Sequence, residues 1–281
     1  MNLIVRKLFY LSLFLSRRQR SEQNLTVSQS FSHFFRQANG RLHTRQIFVG
    51  SVAFVYFFGF MLKDFPRFIN EEFYAAQISS QQLDALLADG WRHFGTHFFR
   101  YNIGFYQNEL RRVLPLRVRL AKFEISKSQR RVLRRNQDLQ IVSRPIEITA
   151  EKEDLFERHK QRFDHAVPDS LYDFLSFEPS KVPCEALEVC VYEKNNLLAA
   201  SFFDVGASSV SAVYAMFEPS ETARSLGIFT MLLTINYATE NGKTFYYPGY
   251  AYEGISFYDY KKRFSALEEF CWNGNWQKFV E

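Results

Sequence analysis

The sequence predicts a mixed α/β (α+β) fold: a smaller N-terminal α/β subdomain over 61–138, a C-terminal α+β domain over 139–281, and an extension, 1–60, ahead of both. Three observations carry this. Period-2 apolar stretches, as at Val210, Ala212, Tyr214 and Met216, alternate with helical spacing, as at Leu226, Phe229, Leu233 and Tyr237. Aromatics are abundant, with 31 Phe and 15 Tyr, so a sizeable core can be filled. The net charge of +5 is also zoned: residues 111–135 carry ten Lys/Arg against Glu124 alone, whereas residues 136–281 carry thirteen against twenty-two acids. A basic strip beside an acidic domain is the footprint expected for a polyanion partner.

Cys184, Cys190 and Cys271 form neither a Cys-x-x-Cys pair nor an even framework. That pattern argues for a reducing, cytoplasmic setting and against a disulfide or structural-zinc scaffold, with Cys184 and Cys190 as core residues. Residues 1–60 hold eight Lys/Arg against one acid. Leu8 to Leu15 resembles a signal peptide's apolar region, but no small-residue cleavage site follows. Ile47 to Leu62 is free of charge for sixteen residues, short of the ~20 a membrane helix needs. It reads as a weak anchor, a buried hairpin, or the product of an over-extended start with globular patterning from Met61, and membrane association is not expected.

From Ser79 the pattern is helical, with Ser80 as N-cap, Leu83, Leu86 and Leu87 on one face and Gly90 at C′. Trp91 to Tyr101 alternates as one strand carrying His93 and His97, which share a face but find no nearby Cys or carboxylate, so no metal site is expected. Leu116 to Phe123 forms a half-buried strand with Arg117 and Arg119 outward. Ser126 and Gln129 make a capping box that opens a helix over 127–135. There Arg130 and Arg134, and Arg131 and Arg135, stack at i,i+4 with no carboxylate to relieve them. An unmixed cationic face assigns Lys127, Arg130, Arg131, Arg134 and Arg135 to phosphates.

Asn136 ends that helix as an αL residue. A strand over 139–148 turns at Arg144-Pro145, helices follow over 151–163 and 168–175, and a hairpin turns at Asn195-Asn196 with Asp204 at its far end. The strand over 210–216 then feeds, through Arg224-Ser-Leu-Gly227, a helix whose first-turn amides are open to an anionic or polar ligand. The strand over 244–250 is broken by Pro248-Gly249. Tyr258 to Phe264 places aromatics among cations, a composition that can stack on nucleobases.

Helix, helix, hairpin, strand, loop-helix, strand is the order of a GNAT-like acyltransferase core. The loop keeps the first half of the CoA-binding pattern but has Phe229 at its end, which speaks against a CoA-dependent N-acetyltransferase. The motifs themselves resemble the aminoacyl-tRNA protein transferases, the arginyl and leucyl transferases of the N-end rule pathway. They are Leu114-Pro-Leu-Arg-Val118, Phe123 with Ser126 to Asn136, Asp204, Ser211-Ala-Val-Tyr214, Glu218-Pro219, Ser225-Leu-Gly227, Tyr246-Tyr-Pro-Gly-Tyr250, Tyr260-Lys261 and Phe264. They follow the family's order across residues 83–276. Gly90-Trp-Arg92 is present, yet Asn102 to Val113 lacks the cysteine cluster that binds a metal or iron-sulfur centre in some members, so no metal or cofactor is carried over. Phe257-Tyr258 and Ser265 also stand where the family carries Lys-Met and Pro.

The resemblance implies transfer of arginine or leucine from charged tRNA to the N-terminal α-amine of an acceptor protein. It further implies a catalytic set of Asp204, Tyr214, Tyr247 and Lys261, with Asp204 orienting the amine and Lys261 holding a phosphate or an acidic side chain. Ser225, Leu226, Gly227, Tyr250 and Tyr260 would lie at the aminoacyl end. A relative that retains RNA binding but not transfer is the non-enzymatic alternative.

Overall fold

A computed structural model describes residues 68–107, 109–163 and 167–280, so the expectations for 1–60 lie outside the described residues. Two sheets form. The smaller is ordered β1-β3-β2, from β1 (Asn70–Tyr74), β2 (Arg92–Phe94) and β3 (His97–Tyr101). The strand expected over 91–101 is therefore two strands, because Gly95 at φ +49° lets the chain reverse. Helix α1 (Ser80–Ala88) lies between β1 and β2; its cap is Ser79, not Ser80, bonded reciprocally to Gln82. Gly90 follows at φ +81°, as a C′ residue should.

The larger sheet runs β12-β11-β5-β10-β9-β8-β7-β6, with β4 (Ile103–Tyr106) paired to β5 alone. Its members are β5 (Glu109–Arg119), β6 (Gln140–Pro145), β7 (Ala186–Glu193), β8 (Asn196–Val205), β9 (Ser209–Phe217), β10 (Phe245–Tyr252), β11 (Leu267–Phe270) and β12 (Trp276–Lys278). β5, from the N-terminal half, runs between β10 and β11, so the two halves share one sheet. Strand alternation divides the core: Ala199, Phe203 and Val205 of β8 pack on one face with Leu226, Phe229 and Ile235 of helix α4 (Leu226–Glu240). Ala200 and Phe202 face the other way, toward Leu155 and Phe156 of helix α3 (Ala150–Lys160) and Phe99 of β3.

Helix α2 (Lys127–Arg135) opens with the Ser126–Gln129 capping box. It ends differently from the expectation: Asn136 has φ −111° and is buried, its amide donating to the Val132 and Arg224 carbonyls. The segment 168–175 holds only a 3₁₀ turn, Leu171–Asp173, and in the β7–β8 turn it is Lys194 that takes positive φ. Arg117 and Arg119 do not form a free cationic face, because β11 brings Glu268 to both, at 2.7 and 2.8 Å, and Arg117 also lies over Phe245 and Trp276. Among the described residues no helix is long and apolar enough to cross a membrane.

Candidate active site

β9 and β10 are the parallel pair in an otherwise antiparallel sheet, and their ladder ends at Tyr247↔Ser211. Beyond it Pro248 supplies no amide and Gly249 turns to φ +98°, with the register against β5 also shifting. The strands part, and side chains replace the missing ladder. Arg92 donates to Ser211 Oγ at 2.7 Å and to the Ala212 carbonyl on β9; Lys261 Nζ donates to the Tyr250 carbonyl at 3.0 Å on β10. Both cations converge on Gly249, where an added Cβ would lie 3.2 Å from Lys261 Nζ and 3.7 Å from Arg92 Nη2.

Between the parted strands lies a cavity of about 500 Å³ with mostly apolar walls, among them Phe94, Phe99, Phe174, Phe217 and Met231. Tyrosines and cations supply polar groups among these walls. Tyr246 and Tyr214 have buried hydroxyls without a hydrogen-bond partner among the described residues, and burial raises the pKa of both. Tyr214 stacks on Phe174 at 4.0 Å between centroids. Tyr260 is pushed up to about 12 by burial. Tyr250, raised further, bonds the Gly90 carbonyl at 2.6 Å. Burial, reinforced by the charge of Arg92, draws Lys261 down to about 7. His159 is buried and fixed by the backbone of Phe217 at Nδ1; burial draws it down to about 4, so it is neutral at pH 7.

At the cavity edge Ser225 occupies the αL region at φ +54°, a costly conformation for a non-glycine residue. It starts α4, where the Ile228 and Phe229 amides donate to the Ser225 carbonyl and Leu226 and Gly227 line the cavity. Arg224 does not enter; it is held by Asp138, Glu193 and Glu221. Arg135 donates to the Ala223 carbonyl and Asn136 to that of Arg224, so the end of the basic helix is bonded directly to this loop. Lys127, Arg130, Arg131, Arg134 and Arg135 are all exposed, and none forms an ion pair among the described residues; Arg130 donates to the Ile125 carbonyl at 2.7 Å.

The cavity thus gathers Tyr214, Lys261, Ser225, Leu226, Gly227, Tyr250 and Tyr260 from the sequence expectation. Two expected catalytic residues lie elsewhere. Tyr247 points to the opposite face, among Leu83, Leu87 and Cys184 with Trp276; its neighbour Tyr246 faces the cavity. Asp204 is buried against His93 Nε2 at 3.0 Å. The histidines do have carboxylate partners, His93 with Asp204 and His97 with Glu72 at 3.1 Å, contrary to the sequence reading. Phe229 packs into the core rather than over the amides, so it obstructs no ligand there. Arg92, His159, Arg162 and Tyr246 line the cavity without having been assigned to it from sequence. Residues 102–113 form most of the β4–β5 hairpin and offer no thiol, so they do not fit a cysteine-held cluster.

Residues 151–271 match the family model for the C terminus of arginine-tRNA-protein transferase. The chain is 35% identical over 160 residues to the aspartate/glutamate leucyltransferase of Nitrosococcus oceani, covering 55% of this chain and 66% of that protein. It is 30% identical over 194 residues to the enzyme of the same name from Shewanella oneidensis, covering 66% and 76%. A GCN5-related N-acetyltransferase from Kribbella flavida overlaps at 15% identity and a TM-score of 0.29, over 48% of this chain and 47% of that one. With its motifs in order and these matches to the family model and the leucyltransferase sequences, the chain belongs to the aminoacyl-tRNA protein transferase family.

Proposed function

We propose that this protein transfers leucine from its charged tRNA to the N-terminal α-amine of proteins beginning with Asp or Glu. The new N-terminal residue would mark them for degradation by the N-end rule in the cytoplasm. The observation that carries this reading is the pair of cations, Arg92 and Lys261, that meet at Gly249 in a cavity with mostly apolar walls, which the exposed Arg162 also lines. The apolar walls suit a leucyl side chain better than a guanidinium, and the names of the relatives agree.

The tRNA ester is already activated, so catalysis needs mainly orientation and stabilisation of the charge developing on the carbonyl oxygen. The acceptor's acidic side chain pairs with Arg92 and Lys261, a charge-assisted contact in a low-dielectric site. An α-amine titrates near 8, so a usable neutral fraction exists at physiological pH without a strong base. Attack forms the amide bond and expels the tRNA 3′ oxygen; the amine's proton passes to that oxygen or to solvent. The α2 surface holds tRNA phosphates, and its bonds to the 223–225 loop fix the distance from them to the aminoacyl end.

Purified protein incubated with labelled Leu-tRNA and with Arg-tRNA, and with peptides starting in Glu, Asp, Lys or Arg, tests this. Label passing from Leu-tRNA to the Glu and Asp peptides is the expected result. Label from Arg-tRNA alone would overturn the donor assignment, and no transfer from either would leave an RNA-binding relative.

A further inference from the structure

We infer that His93, Cys184 and Asp204 hold a divalent transition-metal ion of the zinc class, away from the cavity and from the segment where the family's cysteines would lie. The residues come from three places: His93 from β2, Cys184 from the loop before β7, and Asp204 from the end of β8. Their donor atoms all lie within 4.8 Å of one another, and the residues are 4%, 4% and 2% exposed. A tetrahedral ion with bonds of ~2.0–2.3 Å holds its donors ~3.3–3.7 Å apart, so small side-chain shifts would bring the three donors onto one ion, with water as its fourth ligand.

The chemistry of the set fits as well as its spacing. His93 Nδ1 lies 2.9 Å from the Gly95 carbonyl and can donate there; Nε2, now 3.0 Å from Asp204 Oδ2, would then turn its lone pair to an ion inserted between the two. A carbonyl on the other ring nitrogen is the usual support of a metal-bound histidine. One thiolate, one carboxylate and one neutral imidazole balance a dication without residual charge, which matters in a buried place. Binding releases the Cys184 proton to solvent as the thiol becomes a thiolate ligand. Sulfur with imidazole favours zinc-class ions over calcium or magnesium.

The ion would act as a rivet rather than a catalyst. It joins the β2–β3 hairpin to the large sheet, and the residue beside His93 is Arg92, whose guanidinium bridges to β9 at the cavity. The rivet would fix where Arg92 stands.

Metal analysis of the full chain, purified without a polyhistidine tag, decides the matter first. We expect one zinc per chain, removed by a strong chelator with a fall in Tm that added zinc restores. Cobalt loaded in its place should give the thiolate-to-cobalt absorption band, lost in Cys184→Ser and kept in Cys271→Ser. Wild-type protein with no bound transition metal after growth in zinc, no cobalt band and a melting temperature indifferent to chelator would overturn the site, leaving a hydrogen-bonded His-Cys-Asp cluster. A band that survives Cys184→Ser would overturn it equally. None of these readouts depends on which amino acid is transferred.

Discussion

Raising the pH through 7 should erode the preference for an acidic acceptor, and Lys261 sets how fast. With its ammonium drawn down to about 7, the free enzyme carries the charge on half its molecules at that pH and on about a tenth one unit higher. If that charge receives the acceptor's carboxylate, the cationic fraction multiplies the affinity. Selectivity for an N-terminal Glu over Gln should then fall about fivefold between pH 7 and 8, and level off only at the higher pKa of the Lys261–carboxylate complex. Taking the ratio of kcat/KM for the two peptides cancels the titration of the α-amine, which both share. Arg92 keeps its charge throughout, so selectivity declines without vanishing. A Glu/Gln ratio that stays flat from pH 6 to about 8.5, with kcat alone titrating near 7, would refute the carboxylate role and make Lys261 the base.

The same group also makes a stability trend in the empty protein. Between about 7 and 10.5 the unfolded chain holds a proton on Lys261 that the folded chain has released. Stability therefore rises with pH across that window, by at most about 1.4 kcal/mol per unit, and the penalty is complete below 7. Lys261→Met should be more stable than wild type near pH 7, with the difference in melting temperature shrinking toward pH 10.

Other sites give sharper contrasts between folding and function. Tyr246→Phe removes a buried hydroxyl that has no partner among the described residues, so unfolding free energy should hold steady or rise by about 1 kcal/mol while transfer falls about tenfold or more; unchanged transfer would remove Tyr246 from the reaction. Arg130→Glu with Arg134→Glu should weaken tRNA binding and flatten its salt dependence by about one logarithmic unit per arginine lost, read by titrating affinity against salt with circular dichroism confirming the fold. Glu188→Ala strands the fully buried Lys152, whose Nζ lies 2.6 Å from the carboxylate, and should cost about 3–5 kcal/mol in denaturant unfolding; adding Lys152→Met should recover most of it.

What could be read from the sequence was local, and the site is made where local pattern stops. The Ser126–Gln129 box and the Leu226, Phe229 and Leu233 stripe announce themselves within a few residues, and both helices form where expected. Assigning Tyr247 rather than Tyr246 to the cavity is a one-residue error of face, the kind a strand permits when a break at Pro248-Gly249 hides its phase. Arg92 could not be placed at all, since its partner Ser211 is 119 positions away, and Asp204 met His93 across 111. The cationic reading of Arg117 and Arg119 failed for the same reason, because Glu268 arrives on a strand from the far end of the chain. A ladder that ends early frees backbone carbonyls, and those carbonyls must find donors. Arg92 and Lys261 answer that need and, in doing so, bring two cations together in a cavity with mostly apolar walls. The placement of the two cations is in this sense a consequence of the broken sheet; Tyr260-Lys261 marks one half of it in the sequence, and Gly90-Trp-Arg92 marks the other only through the family motif.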